Sequence, residues 1–119
     1  MTMTVPSLTL THDAVLAMLS ACVAKATAMG QPQCIVIVDQ SGVGLGEIRM
    51  TGAKYLSRAS ALSKARTAAS IGAATTDIPE AVRPAIAAAT AGAVTGLPGG
   101  LAIRNDGVLV GGIGVGSGS

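Results

Sequence analysis

Asn105-Asp106-Gly107, set between the apolar runs 101–104 and 108–111, is the strongest local constraint in this chain. A tight primed turn demands residues that tolerate positive φ, and Asn, Asp and Gly do so at least cost, so the two runs read as the strands of a hairpin. A second hairpin stands earlier. Residues 34–38 form a short, branched, continuous run of the kind covered on both faces, Asp39-Gln40-Ser41-Gly42 supplies turn chemistry, and residues 43–50 return. By the period of two, Glu47 and Arg49 share one face of that returning strand.

Helical patterns fill the space around the hairpins. Val15, Leu16, Leu19, Cys22, Val23 and Ala26 recur at intervals of three and four, with Thr9 or Thr11 as the N-cap, Asp13 in the first turn and Gly30 as the stop, which predicts a helix over 12–29. A second helix is expected over 54–71. Leu56, Ala59, Leu62, Ala65 and Ala69 form its expected buried stripe, while Ser57, Ser60, Lys64 and Thr67 share another face that is either solvated or turned to a ligand. Asp77 and Pro79 start further helical material, and Pro84 requires either a kink or a new start near Arg83. Residues 85–94 read as small, packed helix, and Gly96 to Gly100 as a loop. Two hairpins joined by helices give an α+β arrangement with an antiparallel sheet.

Composition narrows the function classes. At 119 residues the chain is expected to form one domain over 1–119. Half the residues are apolar and 12% are charged, which excludes a disordered chain and points to apolar surface covered by other copies, hence a homo-oligomer. Tyr55 is the only aromatic residue, so the usual stacking platform for bases is missing. A net charge of +2 and the lack of a basic cluster argue against a nucleic-acid partner. No apolar run is long enough to span a membrane and no basic leader precedes one, so no membrane partner and a cytoplasmic location are expected. Cys22 and Cys34 lack CxxC spacing and read as reduced thiols, and no metal-ligand cluster is present. Gly42, Gly44 and Gly46 imitate a nucleotide loop, but Glu47-Ile48-Arg49-Met50 continues as strand where such a loop must open a helix.

Four stretches together identify a family. They are Leu8-Thr9-Leu10; Val36-Ile37-Val38-Asp39 with Gly42; Met50 to Ala53 with Ser60 and Lys64-Ala65-Arg66-Thr67-Ala68-Ala69; and Leu97-Pro98-Gly99-Gly100 with Asp106-Gly107, Val110-Gly111 and Ile113-Gly114-Val115. In this order they resemble the GlcG/HbpS-like domain family, also called haem-degrading or haem-binding, which includes the C-terminal domain of PduO-type proteins. The resemblance implies a profilin-like sandwich with an antiparallel five-stranded sheet and flanking helices, homo-oligomeric assembly, and binding of haem or another tetrapyrrole. Some similar proteins are encoded with small-acid catabolic enzymes. Two departures stand out: Thr51 where an Asp is common, and a chain end soon after Val115 where relatives continue into a terminal helix.

Three functional classes follow. The first is a small-ligand-binding domain taking an anionic molecule or haem at a cleft between the Lys64 helix and the Gly99-Gly100 loop, with Arg49, Ser60, Arg66, Thr67, Gly99 and Gly100 as binding residues. A guanidinium fork matches a carboxylate, and glycines let backbone amides approach an anion. The residues themselves disfavour a conventional haem pocket, since His12 is the only histidine and aromatic walls are lacking; Met50 and Tyr55 read as packing residues. The second class is a small enzyme acting on an oxo or hydroxy acid, with Asp39 (or Glu47) as base and a desolvated Lys64 as acid or electrophile, although Asp39 reads more readily as a plain turn residue before Gly42. The third is a noncatalytic assembly module.

Overall fold

The computed structural model describes residues 1–116; the expected Gly-Ser tail, beyond Gly116, lies outside the described residues. Helix α1 (His12–Ala28) is followed by strands β1 (Cys34–Asp39) and β2 (Gly44–Arg49), then helix α2 (Tyr55–Ile71). Two short 3-10 turns, Thr75–Asp77 and Glu80–Val82, lead into helix α3 (Arg83–Ala89), after which β3 (Gly100–Asn105) and β4 (Val108–Gly116) close the order. All strand pairs are antiparallel, in the order β2-β1-β4-β3. The α+β class and both hairpins are therefore present. The β3–β4 turn places Asp106 at φ 50° and Gly107 at φ 79°, the conformations that a primed turn requires.

The sheet has four strands among the described residues, which corrects the five that the resemblance implied. The physical reason lies in the leading segment. Residues 1–10 contribute to no ladder, and their link to the sheet is through side chains, with Gln40 Nε2 donating to Ser7 Oγ at 2.7 Å. The sequence itself supplied strand chemistry for two hairpins and no more.

The two faces of the sheet follow from the ladder. Cys34, Val36 and Val38 point to the side that α2 covers, where they form a core with Ala53, Ala61, Ala65 and Ala69. Ile35 and Ile37 point to the other side and are fully buried. There Ile37 pairs with Gly46, and a Cβ on Gly46 would lie 2.7 Å from Val15 of α1. Helix α1 thus covers the β1–β2 side of the second face. Thr11 Oγ1 caps it by accepting from the Ala14 N–H at 3.1 Å.

Helix α2 lies unusually close to β4. Gly112, Gly114 and Gly116 present one bare face by the period of two, and Ser57, Ala61, Ala65 and Ala69 meet it by the period of four. A Cβ at any of these glycines would fall well inside 3.0 Å of α2 backbone atoms, so only glycine permits this packing. The close fit also corrects the expected buried stripe. Leu56 is 72% exposed and Ala59 is exposed, whereas Ser57, Lys64 and Thr67 are buried, because the bare strand accepts the small and hydroxyl-bearing side of α2 rather than its bulky side. Helix α3 begins at Arg83 with Pro84 in its first turn, resolving the Pro84 question as a new start.

Candidate functional site

Four of the residues singled out in the sequence, Lys64, Thr67, Gly99 and Gly100, meet at the junction of α2 with the 93–100 loop. Lys64 is 5% exposed, and its ammonium donates to the Val115 carbonyl at 3.0 Å. Desolvation pushes its pKa below the usual 10.5. Gly99, at φ 114°, passes so close that a Cβ there would sit 3.4 Å from Lys64 Nζ; one on Gly100 would come within 2.6 Å of the Lys64 carbonyl oxygen. Those contacts fill the space between Lys64 and the Gly99-Gly100 loop.

Two buried hydroxyls pin the same loop. Thr67 Oγ1 donates to the Ser63 carbonyl at 2.7 Å and accepts from the Thr95 N–H at 3.0 Å. Thr75 Oγ1 donates to the Leu97 carbonyl at 2.6 Å and accepts from the Gly100 N–H at 3.3 Å. A buried hydroxyl that both donates and accepts leaves no orphaned group behind, so it fixes a loop at little desolvation cost. The Thr67 hydroxyl is thus engaged with backbone from Ser63 and the 93–95 segment.

Arg66 points the other way and is exposed. Its Nε donates to the Gly42 carbonyl at 3.0 Å, which anchors the guanidinium over the β1–β2 turn. It lines two hollows at once. The larger, about 540 Å³, is bounded by Gln40, Ser41, Gly42, Ser70, Ala93 and Val94, and among the described residues Arg66 is the only charged side chain on it. The smaller, about 320 Å³, runs between β2 and α2 past Val36, Leu45, Leu62 and the pair Glu47–Arg58. Glu47 and Arg58 neutralise one another through bonds of 2.9 and 3.1 Å, so Arg66 is the positive charge there without a carboxylate opposite it.

The remaining candidates lie apart. Asp39 Oδ1 accepts from the Ser41 N–H at 2.8 Å and the Val43 N–H at 3.1 Å, an Asx-type turn. Arg49 donates to the Ala53 carbonyl at 3.2 Å, tying β2 to the start of α2. Ser60 is half-buried one turn before Lys64. Lys64, Thr67, Gly99 and Gly100 are therefore one group, Arg66 belongs to another, and Asp39 and Arg49 hold turns.

Sequence reasoning missed Gln40 and Ser70 as site residues. Ser70 stands four residues after Arg66 on the same helix face, a spacing that signals adjacency. Gln40 shows no such signal, having the look of a turn residue, yet its Oε1 is buried without a hydrogen-bond partner on the edge of the larger hollow.

A family model described as haem degrading protein HbpS-like matches residues 10–119. The chain belongs to the HbpS-like family. Among solved structures, PduOC, in a crystal structure of its haem complex, is 30% identical over 94% of this chain and 85% of that one, with a TM-score of 0.86. Klebsiella pneumoniae ORFY is 28% identical over 100% and 85%, with a TM-score of 0.92. A double mutant of Streptomyces reticuli HbpS is 31% identical over 98% and 79%, with a TM-score of 0.85. No curated protein matches significantly. No helix among the described residues of this HbpS-like chain is long and apolar enough to cross a membrane.

The family points to haem, and the residues can be tested against it. Among the described residues, no His, Cys, Met or Tyr lines either Arg66 hollow. His12 is exposed beside Asp13 at 3.5 Å, Tyr55 is 80% exposed, and Cys34 is in the core. Met50 Sδ accepts from the Gln33 N–H at 3.4 Å. Axial ligation of an iron at this site therefore does not fit, whereas a guanidinium suits a carboxylate.

Proposed function

We propose that this HbpS-like chain is a small-ligand-binding domain that takes an anionic molecule, haem or another tetrapyrrole among them, at Arg66. The observation that carries the reading is that Arg66 is, among the described residues, the single charge on the larger hollow, held in place by Gly42 and shared with the neighbouring groove. One carboxylate of the ligand pairs with the guanidinium, and Val36, Leu45 and Leu62 cover apolar surface. The Thr67-pinned loop supplies Ala93 and Val94 as the opposite wall. Haem bound this way is held by its propionates.

The whole of 1–119 acts as one such domain and assembles with copies of itself, covering side chains such as Leu56, Leu101 and Leu16, which are 72%, 60% and 62% exposed. An enzyme of small carboxylic acids would need an acid and a base facing this hollow. Asp39 is engaged in its turn and Lys64 with Val115, so binding is the reading we carry.

Titration with haemin, followed at the Soret band, tests the proposal. Saturable binding that weakens by about tenfold or more in Arg66→Ala supports it, because a hydrogen bond to a charged group contributes about 1.5–3 kcal/mol. Binding indifferent to Arg66 sinks it.

A further inference from the structure

Residues 1–5, Met1-Thr2-Met3-Thr4-Val5, alternate apolar and hydroxyl side chains in strict period two and stop at Pro6. That is the pattern of a strand with one face covered, and the following proline holds Val5 in extended backbone. Yet the segment joins no ladder, and all five side chains are exposed, Met3 at 85% and Val5 at 78%.

The sheet ends on two strands, β2 and β3, whose edges offer different chemistry. Among the described residues, no backbone hydrogen bond joins 101–105 to anything but β4, so the outer side of β3 carries open N–H and C=O groups. Leu101 and Ile103 stand on the face opposite α2, because Leu101 pairs with Ile113, which pairs with Ile37. Leu101 is exposed and Ile103 half-buried there. β2 instead carries Glu47 and Arg49 on the α2 face and Gly46 and Ile48 on the face that α1 covers. Beside β2, a row of Met1, Met3 and Val5 would meet either the Glu47–Arg58 pair or α1; beside β3 it extends the apolar row of Leu101 and Ile103.

The arm does not reach β3 of its own chain from where it is anchored. Leu10 packs at β4, its Cδ1 lying 3.5 Å from where a Cβ on Gly111 would stand, and Ser7 Oγ accepts from Gln40 Nε2 at 2.7 Å just past the end of β1. In the order β2-β1-β4-β3, the step from Leu10 back to Ser7 runs from β4 toward β1 and so away from β3. We propose that residues 1–5 of one copy add as a strand to the outer edge of β3 in a second copy of this chain, with Met1, Met3 and Val5 on the side of Leu101 and Ile103. Main-chain hydrogen bonds supply the pairing, and the alternating side chains fix which way the arm faces. This inference rests on the reading that the chain assembles with copies of itself, and names the contact.

Sedimentation velocity and backbone hydrogen exchange on the full chain, across a dilution series, test it. The expected result is association in which residues 2–5 and 101–105 exchange about tenfold or more slower than on dilution. Met3→Asp with Val5→Asp, both at exposed positions, should weaken association by about tenfold or more and release both segments together, with β1 and α2 as protected as in the parent. Thr4→Pro, which removes an N–H from the arm without adding charge, should act in the same direction. Association with residues 2–5 still in fast exchange, or association of the double variant within about threefold of the parent, overturns this inference and leaves self-assembly standing. Protection of residues 2–5 that persists in the dilute monomer also overturns it, since the arm would then pair within its own chain. A chain that never associates removes the assembly reading, and this inference with it.

Discussion

Replacing Gly114 by Ala probes the contact on which the rest of the molecule is built. Gly114 sits mid-strand on β4, opposite Val36 and Gly100, and faces α2. An added Cβ would fall well inside 3.0 Å of the Ala61 carbonyl oxygen and of the Ala65 N–H nitrogen. Both are backbone atoms that cannot rotate aside, so α2 must lift. Overpacking a tight core costs about 1–3 kcal/mol, and a gap of about 0.5–1 Å forfeits a quarter to a half of the dispersion energy across the layer that opens. The layer here joins Cys34, Val36 and Val38 to Ala61, Ala65 and Ala69, which puts the total at about 3–5 kcal/mol. A chain of this length has about 6–18 kcal/mol of stability to lose. Urea unfolding at fixed protein concentration should show a midpoint lower by about 1–2 M or more. Gly44→Ala is the control: its Cβ would meet nothing within 4 Å, and the expected change is within about 0.5 kcal/mol. A Gly114→Ala protein within about 1 kcal/mol of the parent would refute the close-packing argument.

Further outcomes follow from the same geometry. Lys64 has a folded pKa below its usual 10.5, so between the lowered value and 10.5 the unfolded chain binds more protons, and stability should rise with pH across that window. The difference in stability between the parent and Lys64→Met, measured by denaturation from pH 7 to 11, should follow that rise; a flat difference contradicts it. Thr67→Val leaves the Thr95 N–H without its buried acceptor and should cost about 1–3 kcal/mol while weakening haemin binding, measured by thermal melts and Soret titration. Leu56→Glu should shift the sedimentation profile toward smaller species if copies cover that exposed side chain.

Much of the fold was legible because its punctuation is local. Asn105-Asp106-Gly107 and Asp39 to Gly42 can hardly be anything but turns, and the branched run of β1 can hardly be exposed. The faces of α2 were less legible. Periodicity shows which residues share a face but not which face meets the sheet, and hydrophobicity pointed to Leu56. The glycines of β4 decide otherwise, since a strand with no side chains receives the alanine and hydroxyl side and leaves Leu56 outside. That reversal buries Lys64 and Thr67, which a sequence reader places on the solvent or ligand side. The fifth strand came from the resemblance and has no ladder among the described residues. Of the site, Arg66 was visible as a charge, whereas Gln40 was not, because an orphaned acceptor is a property of assembled surroundings.

The most direct test of the central claim is the affinity of iron-free protoporphyrin IX beside that of haemin. If carboxylates at Arg66 hold the ligand and no side chain ligates iron there, the two should bind within about threefold of each other, and Arg66→Ala should weaken both by about tenfold or more. Tight haemin binding with negligible binding of the metal-free porphyrin would contradict the account, and would place the ligand on an iron-ligating residue elsewhere in the protein.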